Sequence, residues 1–346
     1  GTPTFISHDE MRELMRVTGE HFNLRDDDTG EYSIEIDPRE VKTDTIALLR
    51  ELGFNRMSLG VQDFEPAVQK AVNRIQSEES TMAALSAART EGFKSISIDL
   101  IYGLPHQSVA SFARTLDKIL EISPDRLSVF NYAHLPELFK PQRRINEEDL
   151  PAPQEKLDIL QNTIETLTGA GYVYIGMDHF AKPDDELAVA QRSGTLYRNF
   201  QGYSTHADCD LIGLGSTSIG QVGDSYSQNL KELEEYYARI DADSIPVFRG
   251  YELNSDDKLR RAVITDLICH FDLEKAKVER AFNIRFDDYF EAELKDLAEM
   301  EKDGLLTLSP DRIQVADAGK LLIRNICMVF DRYLREKQNQ RFSKVI

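Results

Sequence analysis

One phrase recurs through the first half of the chain and narrows the fold more than any other feature. A helix-like stretch ends at a glycine or proline turn, and a short apolar run follows at once. It reads Leu52-Gly53-Phe54 before "NRMSLGVQ", Glu91-Gly92-Phe93 before "KSISIDLIYG", Ser123-Pro124-Asp125 before "RLSVFNY" and Ala170-Gly171-Tyr172 before "VYIGMDHF". "YSIEID" at 32–37, just after Gly30, starts the series. The turns are roughly 30–50 residues apart, the length of a strand–helix unit. Helices are expected between them at 41–52, 77–91, 108–121 and 153–169. Near-continuous apolar strands alternating with helices imply a parallel sheet. No GxGxxG follows the first strand, so the dinucleotide fingerprint is missing. The pattern predicts an α/β fold, a partial TIM-like (β/α) barrel with function at the C-terminal ends of its strands.

Those ends are polar. They carry Glu35 and Asp37, Gln62 and Asp63, Asp99, Asn131 and His134, and Asp178 and His179. Some such groups simply cap the helices that follow. Five successive polar ends favour a functional face over caps alone. Arg56, Arg74, Arg126, Arg143, Arg144, Arg192 and Arg198 lie near that face or in its loops. Arginine is most often a surface ion-pair partner. It also grips carboxylates with two parallel hydrogen bonds, so this set is where an anionic substrate is expected to bind.

The chain opens on "GTPT", and Ser7 and Glu10 have the spacing of a capping box at a helix start. Glycine–threonine turns that enter helices often meet an anionic group. Residues 181–227 form a long polar stretch whose glycines and aromatics argue against disorder, and Gly213 and Gly215 in it make a weak GxG signal. From about 228 the pattern turns helical, with helices expected at 228–240, 256–271, 273–282, 286–303 and 318–338 and a hairpin at 305–315. Two domains are expected, 1–227 and 228–346, the second mainly helical and winged-helix-like.

Charge excludes one attractive role for that second domain. The net charge is −19, and the helix at 286–303 is strongly acidic, so nucleic acid is not the expected partner. From Ser255 to Ile346, 17 basic residues nearly balance 18 acidic ones, so residues 1–254 carry −18 of the total. No apolar run approaches the roughly 20 residues of a membrane span. Cys209, Cys269 and Cys327 are scattered and form no CxxC pair, which excludes a local zinc or iron–sulfur motif and suits a reducing cytoplasm. Asp99, Asp178 and His179 leave a barrel metallohydrolase open, but no HxH or HxxxH pair supports it.

Longer motifs carry a specific resemblance. "GTPT", "SIEIDPRE", "LGVQDF", "VNRIQ", "SIDLIYGLPHQ", "RLSVFNYAHLP", "YIGMDHFAKPDDELAVAQ", "RNFQGYST" and "LLIRNICM" run in order from the first residue to near the last. Together they resemble the oxygen-independent coproporphyrinogen III oxidase family, radical S-adenosylmethionine enzymes of haem (porphyrin) biosynthesis. The resemblance implies two cofactors, S-adenosylmethionine and a 4Fe-4S cluster, together with an electron donor. It implies oxidative decarboxylation of two propionates of coproporphyrinogen III to vinyl groups, giving protoporphyrinogen IX, in the cytoplasm. By motif position it implies cofactor contacts from Gly1, Thr2, Glu35, Gln62, Arg74, Asp99, Ala133 and Ile219. Arg192 and Arg198 are the expected propionate anchors. In the family the cluster cysteines form a CxxxCxxC motif before the GGGTP turn, so here they are expected upstream of Gly1, and the chain by itself is expected to be inactive. A related family of haem chaperones, which bind haem without decarboxylating it, is the neighbouring alternative, and "YIGMDHFAKPDDELAVA" favours the oxidase.

Overall fold

Helices cover one face of the central sheet, and the other face carries small and polar side chains. The structure is a computed structural model, and it describes residues 2–336. Packing divides the chain into two units, one running to Ala188 and one starting at Val189.

The first unit opens with α1 (His8–His21), capped as its sequence predicts: the Ser7 hydroxyl accepts from the Glu10 N–H while the Glu10 carboxylate accepts from the Ser7 N–H at 2.7 Å. The strand–helix units then follow as β1 (Ser33–Ile36), α2 (Thr43–Glu51), β2 (Arg56–Gln62), α3 (Pro66–Ala71), α4 (Glu78–Thr90), β3 (Ser95–Tyr102), α5 (Val109–Ile122), β4 (Arg126–Asn131) and α6 (Pro153–Gly169). β1 to β4 are parallel neighbours in that order.

The strands are not continuously apolar, as their sequences suggest, but alternate. Ile34, Ile36, Met57, Leu59, Ile96, Ile98, Leu127 and Val129 are buried against Ile46, Leu49, Ala88, Phe112, Leu116 and Ile159 of the helices. The intervening positions are Glu35, Ser58, Gly60, Ser97, Asp99 and Ser128. A sheet coated on both faces needs apolar side chains on both. This one is coated on one, so its second face can stay small and polar. Burial of each large aliphatic side chain on the coated face contributes about 1.5–3 kcal/mol.

The predicted fifth strand is two. β5 (Val173–Gly176) and β6 (His179–Ala181) form a hairpin, and β6 pairs antiparallel with β4, so the sheet order is β1-β2-β3-β4-β6-β5. Met177 and Asp178 occupy its two-residue turn at φ 46° and 74°, the positive values that a tight hairpin turn requires.

The second unit contains most of the polar stretch, which folds into short strands rather than loops. α7 (Glu186–Ser193) leads to the hairpin β7 (Tyr197–Asn199) and β8 (Gly202–Ser204). β9 (Ile219–Val222), β10 (Ser225–Asn229) and, after α8 (Leu233–Asp241), β11 (Val247–Glu252) make an antiparallel sheet. The helix expected from 228 therefore begins only at Leu233, because 225–229 is a strand. α9 (Ser255–His270), β12 (Asp272–Glu274), α10 (Lys275–Phe282), α11 (Phe286–Tyr289), α12 (Glu291–Lys302), β13 (Leu306–Leu308) and β14 (Arg312–Val315) complete the winged-helix-like unit, with sheet order β12-β14-β13. The acidic helix breaks at Phe290, whose ring is fully buried against Phe286 and Phe330 at the cost of one helical residue. The last helix is likewise three pieces, α13 (Asp317–Leu321), α14 (Ile323–Met328) and α15 (Arg332–Glu336).

Asp63 holds the end of β2. It is 1% exposed and accepts from the Thr115 hydroxyl of α5 at 2.6 Å, from the Glu65 N–H at 2.8 Å and from the Gln107 side-chain amide. It is a structural strand end and not a site residue. Asp63→Ala removes the acceptor shared by three donors, of which the Gln107 amide keeps the Ile101 carbonyl, and is expected to cost about 3 kcal/mol, with Asp63→Asn milder. Urea unfolding midpoints measure this directly, and an unchanged midpoint would remove the role assigned to Asp63.

Candidate active site

Register places the polar residues of the open face in rungs across the sheet. Glu35 pairs with Ser58 and then Ser97; Gly60 pairs with Asp99, then Ser128, then His179. The Ser58 hydroxyl donates to the Asp99 carboxylate at 2.9 Å. Burial pushes the Asp99 carboxyl up from its ordinary 3.8; hydrogen bonds from Ser58 and Ser128 pull it down in part, and the charge of Glu35 pushes it up again. Glu35 and Asp99 thus share one neighbourhood, though they lie on different strands.

At the end of β2 the register slips between Gly60 and Gln62, and Gln62 takes φ 69°. Gly60 lets the two side chains come close: a Cβ on it would lie 3.0 Å from Gln62 Nε2 and 3.3 Å from Arg74 Nη2, so they would have to shift by a few tenths of an ångström. Arg74 Nη2 donates to the Gly60 carbonyl at 2.7 Å and lies 3.4 Å from Asp37 Oδ1. Arg39 grips Asp37 through Nη2 at 2.6 Å and Nε at 3.0 Å. Burial disfavours the Asp37 carboxylate, but the bonds from Arg39 and the charges of Arg74 and Arg39 outweigh it and hold its pKa down. Burial also lowers the pKa of Arg74, and Asp37 opposes that. Arg74 Nε is buried with no hydrogen-bond partner. A buried N–H normally has an acceptor, so this one is an exception to the rule.

The structure therefore brings Gln62 and Arg74 together at Gly60, and Glu35 and Asp99 together on the same polar face. Ala133 is exposed in the segment after β4, where its carbonyl accepts from Gln142 Nε2 at 3.0 Å. Thr2 is half-buried at the start of the short turn Pro3–Phe5, and Gly1 lies outside the described residues. Ile219 begins β9 in the second unit. Arg192 is exposed on α7, and Arg198 is half-buried with its guanidinium 4.7 Å over the Tyr203 ring.

Several other sequence candidates are structural. Arg56 is buried and pairs with Glu186, and Arg126 pairs with Asp185 at 2.8 Å. His179 Nδ1 lies 2.6 Å from the Met177 carbonyl, inside the hairpin turn. Among the described residues no group of His, Cys, Asp and Glu could hold a metal, so the metallohydrolase reading fails.

Sequence reasoning missed Lys156. It is half-buried near the start of α6, its stem fills the space a Cβ would take on Gly103, and Nζ donates to the Tyr132 carbonyl at 3.3 Å. Burial lowers its pKa. A lysine in the first turns of a helix has no local signal that separates it from a solvated one.

The class of protein follows from these strand ends and the comparisons together. The radical SAM superfamily model matches residues 1–119, and the HemN C-terminal domain model matches 253–322. The solved coproporphyrinogen III oxidase of Escherichia coli, described as a radical SAM enzyme, superposes with TM-score 0.94 at 54% identity over 96% of this chain and 76% of its own. This is a radical SAM protein. The oxygen-independent coproporphyrinogen III oxidase of Pseudomonas aeruginosa is 57% identical over all of this chain and 75% of its own length, and that of Escherichia coli 54% identical over all of it and 76%. The chain belongs to the oxygen-independent coproporphyrinogen III oxidase family, which excludes the haem chaperone alternative.

The family uses S-adenosylmethionine and a 4Fe-4S cluster. The polar strand ends fit the first, with an unpartnered Arg74 Nε and a face of carboxylates and amides. The cysteines do not fit the second. Cys209 is exposed, whereas burial pushes the Cys269 thiol up to about 12 and Cys327 higher still. Among the described residues they form no group, with one another or with His, Asp or Glu, that could hold a metal.

The raised Asp99 gives a pH test. An acid whose folded pKa lies above its unfolded value stabilises the fold fully below the unfolded value, near 3.8, and loses that contribution as pH rises through the folded value. Asp99→Asn escapes this loss. Its melting temperature is expected to gain on that of the parent between about pH 4 and pH 7. A difference independent of pH would contradict the shift.

Proposed function

We propose that this chain forms the cofactor- and substrate-holding part of an oxygen-independent coproporphyrinogen III oxidase, which converts two propionates of coproporphyrinogen III to vinyl groups with loss of two molecules of carbon dioxide. The observation that carries the site assignment is the convergence at Gly60, where the Gln62 amide and the Arg74 guanidinium meet beside a buried N–H that has no acceptor. S-adenosylmethionine, when bound, would supply the radical that takes a hydrogen atom from the pyrrole-bound methylene, the β-carbon, of each propionate.

Glu35 accepts from ribose hydroxyls as a carboxylate on the open face. Arg74 and Gln62 bind carboxylate and other acceptor oxygens, and Asp37 fixes the Arg74 side chain for that task. Asp99, raised by burial, accepts from or donates to a polar ligand group according to its protonation. Thr2, Gly1 and Ala133 complete the cofactor contacts, on the strength of the family resemblance. Ile219 offers an apolar surface to an adenine ring. The half-buried polar face limits water, which a radical reaction requires.

An electron donor is a further partner in this reading. The three cysteines are unpaired among the described residues, and a reducing cytoplasm suits them. No helix among the described residues is long and apolar enough to cross a membrane.

The reading is tested anaerobically on the form of the protein that carries the family's cluster-binding segment. Mass spectrometry is expected to show coproporphyrinogen III losing two carbon dioxides as methionine and 5′-deoxyadenosine accumulate. Glu35→Gln is expected to weaken S-adenosylmethionine binding about tenfold, the worth of one charge-assisted hydrogen bond. Cofactor cleavage without decarboxylation would move the substrate, and unaltered affinity in Glu35→Gln would remove the ribose assignment.

A further inference from the structure

The second unit holds a cavity of about 710 Å³ that the cofactor assignments do not use. Its walls come from β7, β9, β10, α9 and the residues after α14, and they include Tyr197, Arg198, Tyr226, Arg261 and Ile268. Half of the lining residues are aromatic or aliphatic and a third are charged, a mixture that suits a ligand with both a ring and anionic groups.

The charges are unequal in what they have left to give. Arg260 is occupied by Asp256 at 2.9 Å and Glu293 at 2.9 Å, and Arg332 by Asp256 at 2.6 Å. The two lining carboxylates are also taken up: Asp257 accepts from the hydroxyls of Tyr333 at 2.8 Å and Tyr251 at 3.2 Å, and Asp331 from the Tyr333 N–H at 2.9 Å. Arg198 and Arg261 differ. Arg198 stacks on Tyr203, and its Nη1 is buried without a hydrogen-bond partner. Arg261 donates to the Tyr226 hydroxyl at 3.2 Å, and its nearest carboxylate, Asp224, is 3.9 Å away. Arg198 and Arg261, neither of them in a close carboxylate pair like those of Arg260 and Arg332, both line one aromatic-walled space.

A protein of net charge −19 repels a polycarboxylate at long range, so binding one requires cations concentrated locally. The position of the cavity also matters. Gln221 lines it and lies two residues along β9 from Ile219, on the same face of the strand and about 7 Å away.

From this we propose that the cavity receives a propionate-bearing pyrrole ring of the substrate, with Arg198 and Arg261 gripping the carboxylate and Tyr197 and Tyr226 flanking the ring. The proposal rests on the functional reading above, which places the cofactor's adenine at Ile219. It separates two arginines that sequence grouped: Arg198 lines this cavity, and Arg192 does not.

Two measurements test it. In the anaerobic enzyme assay, Arg198→Gln and Arg261→Gln are each expected to raise KM for coproporphyrinogen III about tenfold, the worth of a charge-assisted hydrogen bond, while kcat stays within about twofold. Arg261→Lys and Arg198→Lys are expected to recover part of the loss, which a folding defect would not allow. Arg249→Gln, on β11 and outside the cavity lining, is expected to leave KM unchanged. Fluorescence titration uses coproporphyrin III, the oxidised tetracarboxylate, and its uncharged tetramethyl ester. The parent protein is expected to prefer the acid, and Arg261→Gln to lose that preference. Unchanged KM with an unchanged acid preference in both glutamine variants would overturn the proposal. If the parent enzyme releases no carbon dioxide, the functional reading fails, and the titration alone decides whether the cavity takes carboxylates.

Discussion

A parallel sheet with helices on one face only has a second face that must be accounted for. In this chain that face is built from Ser58, Gly60, Ser97, Asp99 and Ser128, with Glu35 at one edge. Small side chains leave room, and carboxylates and hydroxyls leave hydrogen bonds to be made. The coated face supplies the stability that permits this. Ile36, Leu59, Ile98 and Val129 are almost wholly inaccessible beneath helices, so the strands keep their register without help from the open side. Positions of opposite character alternate along each strand, and a one-residue slip would exchange them.

Internal ion pairs then divide the charged residues into those that hold the fold and those that remain for ligands. Asp63 consumes the donors of Thr115, Glu65 and Gln107. Arg56 and Arg126 are tied to Glu186 and Asp185. Asp37 is gripped by Arg39, yet it still lies 3.4 Å from Arg74. Arg74 is thereby positioned through one end of its guanidinium, and Nε is left over. A similar division recurs in the second unit, where Arg260 and Arg332 sit in close ion pairs, Arg261 has its carboxylate only at 3.9 Å, and Arg198 stacks on Tyr203.

Much of this was legible in the sequence, for reasons particular to each element. The turn-then-strand phrase located β1 to β4 and their helices closely, because glycine and proline turns punctuate the period. The Ser7–Glu10 cap was legible because its chemistry is local. Strand five was misread as one strand because Met177 and Asp178 adopt a left-handed turn that neither residue type advertises. The strands of 197–229 were missed because they are three to five residues long and barely apolar. Glu35, Gln62 and Asp99 could be marked from their strand ends, but which strand-end carboxylate is structural could not: Asp63 and Asp99 differ only in the partners that tertiary packing brings. Ala133 and Ile219 carry no chemistry of their own and came from the family resemblance. Arg261 and Lys156 came from the structure alone.

The proposed cofactor site is tested most sharply at the Arg74 Nε–H, which is buried and has no partner within the protein. The most direct measurement is nitrogen-15 NMR of the arginine side chains, in the form that carries the family's cluster-binding segment, with Arg74→Lys to assign the signal. On addition of S-adenosylmethionine the Arg74 Nε–H resonance is predicted to shift and its exchange with water to slow, as a ligand acceptor takes the empty position. Binding of S-adenosylmethionine that leaves this resonance and its exchange unchanged would contradict the claim that the open face of the sheet is the cofactor site.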